Sequence, residues 1–255
     1  TNKAAYTGSA IALTTPSLGT FTYDEGGGTG IDRIDDMMPT AWEETTGTGL
    51  GTGIRTVAGA GGNADVEWNV GADMGLPDGM AVYGSYAPRP GGGQKNTNKA
   101  FGGDSGAVTG FGWDVVLTHS GLMDGLNVFA GYSDIDQVAG IGDRKQEAFG
   151  FTYAIGGATI GWQTSKDDNP GAASEYYENT AYGVSFAVNH NLSLSYGLHE
   201  SDRNSTNVEL QAESFQASYT VGGASIKFAE NSVDNQNYVA GTNREGRTIA
   251  LTLAF

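Results

Sequence analysis

Cysteine is absent from the 255 residues, so no disulfide crosslinks the chain. That leaves the compartment open, because disulfides are optional even in an oxidising space. Basic residues are scarce: 13 Lys and Arg stand against 29 Asp and Glu, a formal net charge of -16. Nucleic acid is thereby excluded as a partner, since its binders present a basic face; cationic partners or a solvated outer surface fit the balance. No run approaches the roughly twenty apolar residues of a membrane helix. The first residues, TNKAAYTG, lack the basic and then apolar pattern of a leader.

Motifs of covalent chemistry are missing as well. There is no G-x-S-x-G elbow, no H-E-x-x-H and no phosphate loop. Of the three histidines, His119 and His190 fall in or near tight turns, and only His199 has Ser201 and Asp202 close by. Near neighbours on one extended strand do not compose a triad, whose members converge in space. An enzyme is therefore not expected. What remains is a soluble chain, or the one membrane-spanning form that hydropathy misses, a closed β-barrel.

What the chain does have is glycine, 41 of 255 residues, and aromatics at 10%. That much glycine without a collagen period suits many strands and tight turns better than disorder. No linker divides residues 1–255, and barrels of this length often form one domain. The end of the chain shows the underlying pattern most cleanly. In RTIALTLAF, Ile249, Leu251, Leu253 and Phe255 fall on one face of a strand and Thr248, Ala250, Thr252 and Ala254 on the other. The same period of two runs back through Phe215 to Val221, Leu192 to Leu198, Phe149 to Ile155 and Val66 to Met74. In a soluble sandwich the solvent faces usually carry many Lys and Glu, whereas here they are mostly Ser, Thr, Gly, Ala, Asn and Gln. A wall with lipid on one side and water on the other predicts that asymmetry.

Connections alternate too. Tight turns at Pro16–Gly19, Pro77–Gly79, Met123–Gly125, Gly156–Gly157, Asn189–Asn191 and Gly222–Gly223 alternate with long, charged or Gly-rich segments. One rim is thus short and the other long, as in outer-membrane barrels. About thirteen strands of roughly ten residues result, near the length a tilted transmembrane strand needs. The first run, Ala5–Thr14, and the last travel in the same direction, whereas bacterial barrels close with even numbers of antiparallel strands. An odd number of N-terminal strands is therefore expected to be missing, with Thr1 not the natural start.

One connection exceeds the rest. Gly26–Ala64 is far longer than the usual four to six residues, and a loop of that length is uncommon without a function. It has glycines at both ends, carboxylates in its middle, two arginines, and an apolar insert of Met37, Met38 and Trp42. Within it, Gly27–Ile34 is one copy of the G-G-x-G-x-D-x-U unit that binds calcium in β-helices. A single copy cannot build a solenoid, which leaves Asp32, Asp35 and Asp36 as weak calcium candidates.

The terminal aromatic strand, the two unequal rims and the very long loop together make the chain resemble the general porins of Gram-negative bacteria. The resemblance covers nearly the whole chain, through architecture more than through a tight motif. It implies a sixteen-stranded transmembrane antiparallel barrel in the outer membrane whose residues 26–64 fold inward as the constriction loop. In that family the inward loop follows the fifth strand, so three strands would precede Ala5–Thr14, in agreement with the parity of the strands. It also implies a homotrimer, contacts with membrane lipid and lipopolysaccharide, and passive diffusion of small hydrophilic solutes.

Under this reading Asp24, Glu25, Asp32, Asp35, Asp36, Glu43 and Glu44, with Arg33 and Arg55, line the narrowest section. Carboxylates in a narrow channel with low-dielectric walls concentrate counter-ions, so cations are expected to be preferred. Met37, Met38 and Trp42 would pin the loop to the wall. Glu67, Asp73, Asp114 and Lys227 alternate with the large apolar positions and are expected to face the lumen. Porins similar to this chain set a basic cluster opposite the acidic loop, for which Arg33, Arg55, Arg89, Lys227 and Arg247 are the candidates. Two other readings stay open: a substrate-preferring channel on the same barrel, and a secreted, soluble β-rich protein that binds calcium or glycan.

Overall fold

The structure, a computed structural model, describes residues 10–24, 28–47, 49–60, 65–88, 111–137, 142–170 and 175–254. Strands β1 (Ala10–Thr15), β2 (Gly19–Asp24), β3 (Asp65–Val70), β4 (Met80–Ala87), β5 (Gly112–His119), β6 (Leu126–Ile135) and β7 (Arg144–Ile155) follow one another in the sheet. Then come β8 (Ala158–Asn169), β9 (Glu175–Ala187), β10 (Leu192–Arg203), β11 (Leu210–Val221), β12 (Ala224–Asp234) and β13 (Arg244–Leu253). All thirteen belong to a single sheet whose spatial order is the chain order. Every neighbouring pair is antiparallel, as in β1 with β2 and β12 with β13. Among the described residues no ladder joins β13 to β1, and no helix is long and apolar enough to cross a membrane.

The strands form where side chains alternate between large apolar and small or polar, and the turns form where glycine permits. Gly125, Gly156 and Gly222 take positive φ in three of the short connections, a conformation glycine adopts without steric cost. The β7–β8 and β11–β12 strands are each joined by two residues, the tightest hairpin available.

Burial is inverted relative to a soluble protein. Ile249 is 72% exposed, Ile11 69% and Leu251 62%, with Phe149, Ile155, Tyr182, Phe186, Phe215 and Ile226 on the same side of the sheet also exposed. On the opposite face Ser133, Gln146, Asn179, Ser195, Gln216 and Asn231 are buried. Each large aliphatic left in water would forgo about 1.5–3 kcal/mol of transfer free energy. A contiguous apolar surface of this extent therefore marks contact with something other than water. On β7 the outward residues Phe149, Phe151, Tyr153 and Ile155 cover roughly 20–25 Å of strand, the scale of the apolar band of a membrane barrel. The band stops at a charged row, Glu147, Lys166 and Glu178, which are cross-strand partners on β7, β8 and β9. Aromatic pairs lie just inside its margin: Trp113 with Tyr132 at 5.5 Å and Phe149 with Trp162 at 5.1 Å between ring centroids.

The sequence pattern ran one stretch too far. Alternation through Val66–Met74 places Asp73 on a strand facing inward, but β3 ends at Val70 and Ala72–Met74 form a 3₁₀ turn. The Met74 amide bonds back to the Gly71 carbonyl at 3.0 Å, and Gly75 closes the turn in the left-handed conformation. Asp73 is exposed on the short-turn rim.

Candidate functional site

The segment between β2 and β3 lies against the polar face of the sheet. Its outward arm starts at a 3₁₀ turn, Gly30–Ile34, where Ile31 and Ile34 enter an apolar nest with Val57, Val116, Phe129 and Ala148. Met37 and Met38 pack against the same nest. Pro39 then crosses β8 and β9: a Cβ placed on Gly161 would sit 2.5 Å from the Pro39 Cδ, and one on Gly183 2.9 Å from it. Further along, the Ala41 amide bonds to Ser195 Oγ on β10 at 2.9 Å, and the Trp42 and Glu43 amides share Gln216 Oε1 on β11 at 3.0 Å each. Leu50 reaches β13 beside Gly246. The returning arm retraces the wall: Asn179 Nδ2 donates to the Arg55 carbonyl at 2.8 Å, Gln146 Oε1 accepts from Ala58 and Gly59, and Asp114 accepts from Ala60.

This geometry explains why the inner face is rich in Ser, Gln and Asn. A segment without regular structure of its own leaves amide and carbonyl groups to be satisfied, and the wall side chains do so. The tip is held separately. In the connection 235–243, Asn237 N donates to the Thr52 carbonyl at 3.1 Å, Gln236 Nε2 bonds to the Gly51 carbonyl, and Tyr238 packs near Leu50 and Ile54. Asn235, Asn237 and Tyr238 all have positive φ, which is uncommon for non-glycine residues and clusters at functional sites. Burial pushes the Tyr238 hydroxyl up from its ordinary value, and it shares a hydrogen bond with Ser201 Oγ at 2.7 Å.

The candidate residues fall into three groups. Asp32, Glu67 and Asp114 are buried anchors: Asp32 accepts from Gly28 N at 2.8 Å, Glu67 from Gly30 N at 2.9 Å, and Asp114 from Ala60 N at 3.1 Å and Ser85 Oγ at 3.2 Å. Arg33 forms an ion pair with Glu67 and lies 4.0 Å from the Tyr83 ring centroid; Arg55 stacks on Tyr177 at 5.1 Å. A second group is less buried. Asp36 and Glu43 are exposed, while Asp35 and Glu44 are half-buried, with Asp35 accepting from Thr56 Oγ1 at 3.0 Å. Lys227 points to the same interior, 6.0 Å from the Trp42 ring. The third group lies elsewhere: Asp24 ends β2 opposite Asp65 at the long-loop rim, Asp73 is on the other rim, and Arg247 pairs with Glu230 at 2.5 Å on the same face as Ile249. Glu25, Arg89 and Phe255 lie outside the described residues.

Sequence reasoning missed several inner-wall groups. Arg144 and Asp167 form a buried two-pronged ion pair at 2.7 and 2.6 Å, and Asp65 is buried beside the anchor Glu67. The apolar nest around Ile31 was also unmarked. The available signal was glycine inside strands on the polar face, which denotes close approach of another backbone. Gly161, Gly183 and Gly197 are direct cross-strand partners on β8, β9 and β10, and the segment lies on all three through Pro39 and Thr45. His199 and Ser201 point inward and Asp202 outward, so these three do not converge.

No protein-family model matches the chain, and no curated protein is similar to it. Solved structures do match. An anion-selective porin from Comamonas acidovorans superposes with a TM-score of 0.70 at 14% identity, over 97% of this chain and 77% of that one. OmpF of Salmonella typhi, in complex with daunomycin, gives 0.66 at 15% identity over 91% and 74%. OmpT of Vibrio cholerae in a trimer form gives 0.60 at 12% identity over 96% and 80%. The chain has the fold of the Gram-negative outer-membrane porins.

Proposed function

We propose that a chain with this fold forms a water-filled channel in the outer membrane, through which small hydrophilic solutes and ions diffuse without a covalent step. The observation that carries the proposal is the inversion of burial: large apolar side chains outside, and Ser, Gln, Asn and Asp sealed inside against a folded-in segment. Residues 26–64 are the constriction of that channel. Membrane lipid and lipopolysaccharide are the partners of the outer face, where the apolar band meets the charged row of Glu147, Lys166 and Glu178. The assembly is a homotrimer, supported by the trimeric form recorded for one structure of the same fold.

The channel prefers cations. Arg33 and Arg144 are matched by Glu67 and Asp167, while Asp36 and Glu43 stand exposed. The Comamonas porin is anion-selective, so a cation preference here rests on these charges and not on the fold. Reversal potentials in planar bilayers under a KCl gradient, recorded in EDTA, test the reading. Cation preference is expected, falling severalfold in Asp36→Asn/Glu43→Gln, because a charge about 4 Å from a passing ion is worth about 1 kcal/mol in water. Anion preference in the unaltered protein would refute an acidic constriction. Extraction without detergent as a monomer would favour the soluble, secreted reading instead.

A further inference from the structure

Beyond conduction, we infer that Asp35, Asp36 and Glu44, together with His199, bind a divalent transition-metal ion of the Zn²⁺ or Mn²⁺ class between the inward segment and the wall of β8–β10. The carboxylate oxygens of the three acids lie within 4.8 Å of one another. Ligand atoms bound to one such ion at about 2.1 Å are at most about 4.2 Å apart. Small rotations of the three acids would therefore seat them on a common centre, while His199 lies outside that grouping and joins from the wall of the same cavity.

A group of acids alone would not single out this place, because exposed carboxylates gather for many reasons. The wall supplies the second observation. Asp35, Asp36 and Glu44 line one cavity of about 30 Å³ with Gln163, Ala181 and His199, room for an occupant the size of a water. His199 is 9% exposed and Gln163 5%. Among the described residues, neither His199 Nε2 nor Gln163 Oε1 has a hydrogen-bond partner. Native interiors rarely leave such groups unmade.

The register shows how these residues come to line the same space. Gln163 pairs across the sheet with Ala181, and Ala181 with His199. The middle of the row is a methyl group, so the two longer side chains flank a depression over which the segment lays its acids. One row further down, the Gly161–Gly183–Gly197 track brings that segment against the sheet. The donor set selects the ion. Oxygen ligands alone suit calcium or magnesium, but an imidazole nitrogen beside carboxylates shifts preference to first-row transition metals. The set differs from the calcium candidates read from sequence by one residue: Asp32 is not in the group, whereas Glu44 is. The other acidic trio, Asp134, Asp136 and Asp143, has no comparable buried donor among the described residues and serves as a control.

The test is calorimetric titration of the full chain, folded in detergent and stripped with EDTA, with ZnCl₂ and separately with CaCl₂. One saturable Zn²⁺ site per chain is expected, with Ca²⁺ at least about tenfold weaker. His199→Gln and, independently, the exposed-site variant Asp36→Asn should each weaken Zn²⁺ by at least about tenfold, a loss that outer ligation partners alone can cause. Asp134→Asn should leave the isotherm unchanged, and circular dichroism confirms that each variant keeps its sheet. The inference is overturned if the unaltered protein shows no saturable Zn²⁺ heat, if both variants bind as it does, or if Ca²⁺ binds as tightly as Zn²⁺. Bilayer recordings on the same sample separate the two proposals: a conducting protein that ignores Zn²⁺ refutes the metal site alone, and one that binds Zn²⁺ without conducting refutes the channel alone.

Discussion

Asp114 illustrates how much one inward carboxylate can hold. It is 1% exposed and receives the amides of Ala60 and Ile31 and the hydroxyl of Ser85. Both arms of the inward segment therefore end on the same side chain. Leaving a buried backbone donor without an acceptor costs about 1–3 kcal/mol, and Asp114→Ala would strand two. The expected outcome is a segment loosened by a few kcal/mol, read as greater open-channel current noise and as protease cleavage within residues 28–60. Noise and protease resistance equal to those of the unaltered protein would mean that the anchorage lies elsewhere. Alternation assigned Asp114 to the correct face but not to this role, because periodicity reports direction and says nothing of what the side chain meets. The same blindness explains Asp73, whose position continues the alternation into a turn, and Arg33, whose charge is matched by Glu67.

Among the elements, what was legible is what is local. Strand number, order and the unequal rims follow from period-two patterning and glycine turns, each written within about ten residues of sequence. The course of the segment is not local. Pro39 and Thr45 rest on a track of three glycines from three strands, and that track exists only once the register of β8, β9 and β10 is set. Gly183→Val tests it. Valine suits a strand, so the sheet should keep its thermal stability, while a side chain 2.9 Å from Pro39 Cδ at its first atom must push the segment off the wall. Single-channel conductance should change with little change in melting temperature. An unaltered conductance would place the segment away from β9.

At the scale of the molecule the controlling feature is which solvent each face meets. Phe151 is an outward residue in the apolar band of β7, and its neighbour Thr152 points inward. An arginine on the lipid face near the bilayer midplane costs about 2–4 kcal/mol, whereas one facing water inside costs little. Phe151→Arg should therefore lower the free energy of folding into phospholipid vesicles by that amount in urea titrations, and Thr152→Arg by less than about 1 kcal/mol. Equal penalties would remove the distinction between the two faces. The sequence carried this feature throughout, because the outward apolar residues repeat on every strand, while the pairing of the inner charges depends on a few contacts that no single strand reveals.

The grip of Gln236 on Gly51 joins positions 185 residues apart. A bond of that kind cannot exist until β12 and the connection after it have folded, so the resting place of the inward segment is a property of the assembled sheet and not of the segment's own neighbourhood in sequence.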